Sequence, residues 1–369
     1  MTNVTDGKRP NSFLLGPALS RLSAKIAPLV RDEIVGTLIM ELERHLNEQL
    51  LPDLHAQMEG ILTRELQERV EAIVARELPE RIEAIVDQVL PTKQSQFYRP
   101  NNIVAGSVTG EYMSASNVVA RDFLHREYAE FCGLLKASVG LHRKPWEWAF
   151  IYDRLHKAGV LRSDMRGLGF GVGVERLPSL FASMGVRVTA TDSPRGGDWE
   201  AGGVYASDKE KLFYSDTISR ESFEDRVSFE FCDMNEIPSQ LSDFDFCWSS
   251  CAFEHLGSIQ NGLDFVINSI ERTLKVGGVA CHTTELNLSS EDDTIDTGVT
   301  VLYRKKDLEQ LCKTLENRGH WVEPLRIEPG TLPPDYSVDV PPYRSGWHLQ
   351  LLLGSYVTTS VGLVARRGR

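Results

Sequence analysis

Three glycines at alternate positions are the first residues in this sequence whose spacing could do chemistry. Residues 167–173 read GLGFGVG, which contains Gly169, Gly171 and Gly173. Glycine lets a backbone turn tightly and approach a ligand closely. The apolar spacing that follows predicts a helix, and the run VRVTATD predicts a strand that ends at Asp192. Asp192 comes 19 residues after Gly173, where a carboxylate can accept hydrogen bonds from both hydroxyls of a ribose.

Acidic and apolar residues downstream extend this predicted nucleotide pocket. Asp233 and Met234 end a short strand, so Asp233 could accept a hydrogen bond from an adenine amine while Met234 covers the ring. Ser250 follows the next predicted strand and joins the same cofactor-binding set. By themselves the glycines fit NAD, FAD or S-adenosylmethionine (SAM), or a simple glycine-rich turn. Strands that alternate with helices predict a parallel α/β sheet, which binds ligands beyond the carboxyl ends of its strands.

The order of these segments resembles that of the class I SAM-dependent methyltransferases over about residues 160–367. The glycine loop, Asp192, Asp233-Met234, the segment FDFCWSSCAFEHL and LKVGG follow the family's order and spacing. The resemblance implies S-adenosyl-L-methionine as cofactor. It also implies a Rossmann-like sheet with a final antiparallel strand pair, which we place at 321–327 and 347–366. One position departs from the family, which often has an acid two residues before the first loop glycine. This chain has Gly167 there, and Glu175 is a candidate to act in its place.

Methyl transfer from a sulfonium is an in-line displacement, and a hydroxyl acceptor must also lose a proton to a base. Of the five candidate bases named below, His255 and His282 are preferred. Glu254-His255 could instead cap a helix and only shape the pocket. The acids at 291–293 could hold a divalent ion but are more typical of a solvated loop, so no metal is predicted. The candidate bases follow the fourth and fifth predicted strands and are Glu254, His255, His282, Glu285 and Asn287.

Residues 1–95 are predicted to form a helical oligomerisation arm, preceding a Rossmann-like class I methyltransferase fold. Segments 68–79 (ERVEAIVARELP) and 80–91 (ERIEAIVDQVLP) are twelve-residue repeats, and apolar residues recur every fourth position from Leu22 to Leu90. An isolated helix would leave this stripe in water, so burial in a coiled coil through self-association is favoured. A surface-bound amphipathic helix and a helical hairpin packed on its own domain remain alternatives.

Residues 96–160 are predicted to form a helical bridge or lid, and residues 161–369 the catalytic domain. Helices are expected at 117–136 and 145–158. The trio His142-Arg143-Lys144 could form a basic lip that holds a phosphate, or it could be a solvated helix start. Trp146 and Trp148 could stack on a sugar ring, but core packing is the favoured interpretation.

Composition limits the class of partner and the compartment. The formal net charge of −12 argues against a nucleic-acid substrate, which usually requires a basic face. The six cysteines form no CxxC pair, so we interpret them as reduced thiols in a cytoplasmic protein. The apolar run near the N-terminus is too short for a signal sequence, and no later run reaches about 18 uncharged apolar residues, so neither a signal sequence nor a transmembrane helix is predicted.

Two segments, RGLGFGVGVERLPSLFA and HTTELNLSSEDDTID, resemble methyltransferases of bacterial surface-polysaccharide assembly. That resemblance implies O-methylation of a sugar hydroxyl on a lipid-linked glycan, as in O-antigen synthesis. It also implies chain termination, a glycosyltransferase partner and a location peripheral to the inner membrane, with Tyr343 as a further stacking candidate. The alternatives are methylation of a small or lipid-like metabolite, and a SAM-binding scaffold with little turnover.

Overall fold

The computed structural model describes residues 40–46, 48, 110–196, 202–343 and 346–369. Chain packing separates two units, one of residues 1–99 with 340–342 and one of residues 100–339 with 343–369. In the first unit, residues 40–45 are helical. The rest of the predicted arm, and with it the coiled coil, lies outside the described residues. The predicted boundary at 160/161 falls inside the second unit.

The second unit is built on a nine-stranded mixed sheet. The strands of the described residues are β1 (Leu141–His142), β2 (Arg166–Phe170), β3 (Arg187–Asp192), β4 (Val227–Phe231), β5 (Phe244–Ser250), β6 (Gly257–Ser258), β7 (Leu274–Asn287), β8 (Thr297–Gly298), β9 (Trp321–Val322), β10 (Val338–Asp339), β11 (Trp347–His348), β12 (Gln350–Leu353) and β13 (Tyr356–Arg366). Their order in the sheet is β10-β12-β13-β7-β5-β2-β3-β4, and β9 also pairs with β13. Two small pairs, β1 with β11 and β6 with β8, stand apart.

Five central strands run parallel and confirm the predicted α/β sheet. Neighbours from β4 through β3, β2 and β5 to β7 are parallel, whereas β13 is antiparallel to both β7 and β12. The predicted antiparallel pairing of 321–327 with 347–366 is present between β9 and β13, but it is only two residues long. The segment 347–366 forms a hairpin by itself, because Leu353 pairs with Tyr356 across the two-residue turn Gly354-Ser355. β9 contributes only two residues at the end of β13.

The helices lie on both faces of the sheet. They are α1 (Arg126–Leu134), α2 (Arg143–Lys157), α3 (Leu177–Ser183), α4 (Arg220–Arg226), α5 (Ile259–Asn268) and α6 (Lys305–Asn317). The helix expected at 117–136 is interrupted, since a short 3-10 helix at Ala120–Leu124 precedes α1. The helix expected at 145–158 begins two residues earlier, because Nδ1 of His142 caps it by accepting the Lys144 backbone N–H. Among the described residues, no helix has the length and apolarity needed to cross a membrane.

Alternation along β7 assigns its side chains to two cores. One core lies under α2 and α3, where Trp146, Phe181 and Trp248 pack with Cys281 of β7. The other lies under α5 and α6 and includes Phe170, Phe265 and Leu311 together with Ala280 and Leu286 of β7. Successive strand residues point to opposite faces. Glu285 therefore shares the α2 face with residue 281, and His282 shares the α5 face with residues 280 and 286.

Candidate active site

The chain turns sharply after β2, at the carboxyl edge of the sheet. Gly171 and Gly173 have φ values of +56° and +52°, the left-handed region that favours glycine. A Cβ at position 171 would lie 2.8 Å from the Cβ of Ala252, and one at position 173 would lie 2.5 Å from the carbonyl oxygen of Val204. The turn is therefore a backbone cradle with no room for side chains. Gly169 differs, because it lies within β2 and makes room for the Trp248 ring, 2.5 Å from its would-be Cβ.

Asp192 ties the end of β3 to this turn. Its Oδ2 accepts the backbone N–H of Gly173 at 3.0 Å and that of Ala206 at 3.2 Å, and its Oδ1 accepts that of Ser193 at 2.8 Å. The residue is 8% exposed. Burial raises the pKa of Asp192, although the three N–H donors oppose the shift. The predicted ribose-binding acid and the glycine turn are thus brought together, and Oδ1 keeps a lone pair for a further donor.

The residues after β4 lie next to the same turn. Met234 is buried, and its Sδ would lie 3.4 Å from a Cβ at position 171. Asp233 is exposed, and its Oδ1 accepts the Asn235 backbone N–H at 2.9 Å. The turn after β2, the end of β4 and Ala252 after β5 therefore converge.

The first turn of α2 brings a buried carboxylate and two cations to the ends of β5 and β13. Glu147 is fully buried and accepts hydrogen bonds from Lys144 Nζ and Ser250 Oγ, both at 3.0 Å, and from Ser360 Oγ. Burial works to raise the pKa of Glu147, but the Lys144 and Arg143 cations outweigh it and hold the pKa below its ordinary value. Sequence reasoning missed Glu147, although its spacing three and four residues after two cations is typical of an ion-paired helix face.

Arg143 links α2 to β7. Its guanidinium binds the Glu285 carboxylate, whose Oε2 also accepts a hydrogen bond from Thr358 Oγ1 at 2.8 Å. The same Nη1 donates to Ser360 Oγ at 3.0 Å and lies 4.0 Å from Cys251 Sγ. The basic trio is therefore no solvated helix start, since Arg143 and Lys144 both turn toward buried acids. Ser250, predicted to bind cofactor, donates its hydroxyl to Glu147.

Glu254 contributes a buried acid to the same edge. It is 1% exposed, and its Oε2 accepts the Thr284 hydroxyl at 3.0 Å. Its Oε1 is buried without a hydrogen-bond partner in the described part of the chain. Burial raises the pKa of Glu254, with His255 opposing the shift and Glu285 adding to it. Ligand atoms of Cys251, Glu254 and Glu285 lie within 4.8 Å of one another, and the Arg143 guanidinium pairs with Glu285.

The two preferred histidines lie in different surroundings. The Nε2 of His255 lies 3.8 Å from Glu254 Oε1, and its Nδ1 lies 2.9 Å from the carbonyl oxygen of Val299. His282 is 1% exposed and hydrogen bonds to the hydroxyls of Ser249 at 2.8 Å and Ser269 at 3.0 Å. Burial lowers the pKa of His282 to about 3.

The structure therefore does not bring His282 to the predicted site. Strand alternation places its ring on the α5 face, next to Phe253 and Phe265, whereas Glu285 faces α2. Asn287, the last candidate base, holds the loop that follows β7, since its amide donates to the carbonyl oxygen of Asp293.

Glu175 lies behind the glycine turn. Its Oε1 accepts the Trp248 indole N–H at 2.7 Å, and burial raises the pKa of Glu175 to about 8. Trp146 is fully buried and donates its indole N–H to Asp122, which confirms core packing over sugar stacking. The acids at 291–293 contact the start of α6, where Lys306 Nζ lies 3.2 Å from Asp292.

No protein-family model matches the chain, and no curated protein does either. Solved structures with similar folds include a protein described as a sarcosine dimethylglycine methyltransferase from Galdieria sulphuraria. It is 17% identical with a TM-score of 0.40, over 67% of this chain and 98% of that one. A glycopeptide N-methyltransferase is 13% identical with a TM-score of 0.37, over 62% and 97% of the two chains.

A third similar structure is the magnesium protoporphyrin IX methyltransferase from Synechocystis PCC 6803 with bound SAH. It is 10% identical with a TM-score of 0.37, over 67% of this chain and 98% of that one. Because all three TM-scores are below 0.5, the activity of this chain has to be argued from its own residues.

Proposed function

We propose that this chain is a SAM-dependent methyltransferase that transfers a methyl group to a hydroxyl. The observation that carries the proposal is the glycine turn after β2, held by the Asp192 carboxylate through the Gly173 N–H. This turn lies at the carboxyl end of a parallel strand, where α/β sheets bind nucleotides. The proposal also follows the order of motifs from Gly169 to LKVGG along the sequence.

The residues at this edge fit the cofactor. Ala252 and Met234 pack against Gly171 so closely that a side chain at this position would displace them, which keeps the backbone of the turn bare. Glu254 Oε1 and Arg143 Nε are buried polar atoms without hydrogen-bond partners among the described residues. Such atoms are rare in folded proteins and indicate a polar ligand. Asp192 would hold the ribose hydroxyls, Met234 would cover adenine, and bound SAM would supply an electrophilic methyl group.

A buried acid at the carboxyl edge of the sheet favours a polar acceptor. Glu254 Oε1 is buried at this edge without a hydrogen-bond partner among the described residues, and an apolar acceptor would leave it without one. We therefore favour a sugar hydroxyl of a bacterial surface glycan over a lipid-like metabolite. Chain capping, a glycosyltransferase partner and a location at the inner membrane belong to the same proposal and rest on the sequence resemblance.

Cofactor binding is tested by titrating SAM onto the full-length protein in a calorimeter. We expect saturable binding by the wild type and at least a tenfold weaker affinity for Asp192→Ala. The matched control is Asp216→Ala, which removes an exposed acid that pairs with Arg176. Wild-type protein that binds a dinucleotide but not SAM would refute the proposal.

The acceptor is tested with methyl-labelled SAM. We expect label to enter purified surface glycan and not a panel of quinones. Label in a quinone would favour the metabolite alternative, and SAM binding without transfer to any acceptor would favour a scaffold.

Self-association through residues 1–95 is a separate part of the proposal. It is supported by the apolar residues that recur at every fourth position of the sequence. Light scattering on the full-length protein should give a multiple of the 41.4 kDa chain mass. The double variant Leu66→Glu, Val74→Glu should shift the mass toward one chain, because two charges would enter the apolar stripe. A wild-type mass of one chain would exclude the oligomer.

A further inference from the structure

A histidine and a buried carboxylate form a close pair outside the groups described so far. Nδ1 of His348 lies 2.6 Å from Oδ2 of Asp339. The Asp339 side chain is 2% exposed and the His348 side chain is 16% exposed. A carboxylate at one ring nitrogen fixes the tautomer, so the other nitrogen becomes the proton acceptor. Within the described residues, Nε2 of His348 has no hydrogen-bond partner.

Strand pairing attaches this pair to the start of α2. His142 of β1 is in register with His348 of β11, and their rings stack with centroids 4.5 Å apart. Nδ1 of His142 accepts the Lys144 backbone N–H at 3.1 Å, which requires that nitrogen to be unprotonated. Burial, with His348 and Arg143 adding to it, lowers the pKa of His142 to about 4. His142 is therefore a neutral ring against which His348 is held.

The pair lies next to the carboxyl edge of the sheet. Arg143, the residue after His142, reaches Glu285 and Ser360. The Tyr343 ring meets His348 edge-on at 5.7 Å. Burial raises the pKa of Tyr343, with Arg143 opposing the shift and Asp339 and Glu285 adding to it.

We propose that His348, oriented by Asp339, is the base that deprotonates the hydroxyl acceptor. This inference rests on the proposed function. The acceptor oxygen forms a bond to the methyl carbon while the bond from that carbon to the sulfonium breaks, and its electron pair stays on sulfur. The acceptor's proton moves to Nε2 of His348. The imidazolium is balanced by the Asp339 carboxylate, and its proton then leaves to water.

This arrangement favours an alcohol over an amine as acceptor. A neutral amine attacks with its free lone pair, whereas an alcohol has to lose its proton during the attack. The Tyr343 ring beside the base presents a flat, partly apolar face, and such a face suits a pyranose ring. The substrate class is therefore a sugar alcohol rather than an amino group.

The test measures methyl transfer from labelled SAM to methyl α-glycosides of mannose, glucose, galactose and rhamnose by the full-length protein. His348→Gln should lower kcat at least 100-fold and Asp339→Asn at least tenfold, while the Kd for SAM stays within twofold of wild type. In the pH profile of kcat/KM, His348→Gln should lose the ascending limb. Among the described residues, the titratable groups that face His348 are His142, Asp339 and Tyr343.

The matched control is His320→Gln. His320 also forms a histidine–carboxylate pair, with Glu271 at 3.2 Å, but its partner precedes β7 at the other end of that strand. The kcat of His320→Gln should equal that of the wild type. If His348→Gln keeps more than half of the wild-type kcat, the proposal for His348 is wrong while the methyltransferase proposal stands. If the wild type does not bind SAM, both fail.

A second measurement covers the case in which no glycoside is methylated. The ring nitrogens of His348 are followed by NMR in histidine-labelled protein saturated with S-adenosylhomocysteine, and each glycoside is then added. A shift of the Nε2 signal that is absent in the His320 signals supports the proposal. Unchanged His348 signals with all four glycosides overturn it.

Discussion

The backbone N–H of Gly173 donates to the Asp192 carboxylate at 3.0 Å, which joins the turn after β2 to the end of β3. The two parts of the proposed cofactor site therefore depend on each other for their shape. A change to either residue should alter both cofactor affinity and the conformation of the turn.

Gly173→Ala should weaken SAM binding at least tenfold. A residue with a side chain at this positive φ has a backbone conformational energy about 1–2 kcal/mol higher than glycine, and the new Cβ would also displace the Val204 carbonyl. Gly319→Ala is the matched control, because Gly319 has a φ of +86° but open space around its would-be Cβ. Calorimetry should show wild-type SAM affinity for Gly319→Ala. Equal affinities for the two variants would mean that the turn does not shape the site.

Arg143→Met should destabilise the fold by about 3–5 kcal/mol, because it leaves the buried Glu285 and Glu147 without their shared cation. Adding Glu285→Gln to this variant should recover part of the loss, since one of the uncompensated charges is then removed. Urea denaturation measures both. Arg220→Met, at an exposed ion pair with Glu210, should leave the midpoint close to that of the wild type. Failure of Glu285→Gln to rescue any stability would contradict the pairing.

Glu175→Gln should remove part of the pH dependence of stability between pH 4.5 and 8. Burial makes ionisation of Glu175 harder in the folded state, with a pKa of about 8 against an ordinary value of 4.5. This carboxyl group therefore makes the free energy of unfolding fall as pH rises through that window, by up to about 1.4 kcal/mol per pH unit. The amide oxygen of glutamine can still accept the Trp248 N–H, so the variant should be the more stable protein at pH 8. Denaturation midpoints that fall equally with pH in both proteins would contradict this.

His282→Gln should reduce the loss of folding stability as the pH falls below neutral. The pKa of His282 is lowered from 6.5 to about 3 in the folded state, so its contribution is complete above pH 6.5 and is lost as pH falls toward 3. The wild-type free energy of unfolding should fall with a slope steeper by up to about 1.4 kcal/mol per pH unit than that of the variant. His156→Gln, at an exposed position, serves as control and should keep the wild-type slope. A His282→Gln slope equal to wild type would indicate that this ring is solvated.

Local patterns in the sequence predicted the sheet and the cofactor side of the site. The alternation of VRVTATD and the glycine spacing locate β3 and the turn after β2, because both depend on residues close together in the chain. The contribution of α2 to the site was missed, because Glu147 bonds to Ser250 and Ser360, which are 103 and 213 residues away in the sequence. The periodic spacing of apolar residues within one element does not indicate pairs so far apart in the sequence.

Strand parity explains the wrong placement of His282. The sequence locates it at the end of the fifth parallel strand, but a shift of one residue moves a side chain to the other face of a sheet. Glu285, three residues later, therefore faces α2 while His282 faces α5. The hairpin of β12 and β13 was also missed, because its turn, Gly354-Ser355, lies within a run that reads as one continuous apolar segment.

The attachment of α2 has a practical consequence for protein engineering. Its first turn supplies Arg143 and Lys144 to acids on the sheet, and Trp146 and Phe150 cover Trp248 and Cys281. A fragment cut at residue 161 would keep the central strands, but it would expose an aromatic face of the sheet. It would also leave Glu285 without its Arg143 counterion. Domain swaps or truncations in this protein should therefore be joined before residue 110, so that the covering helix travels with the sheet it completes.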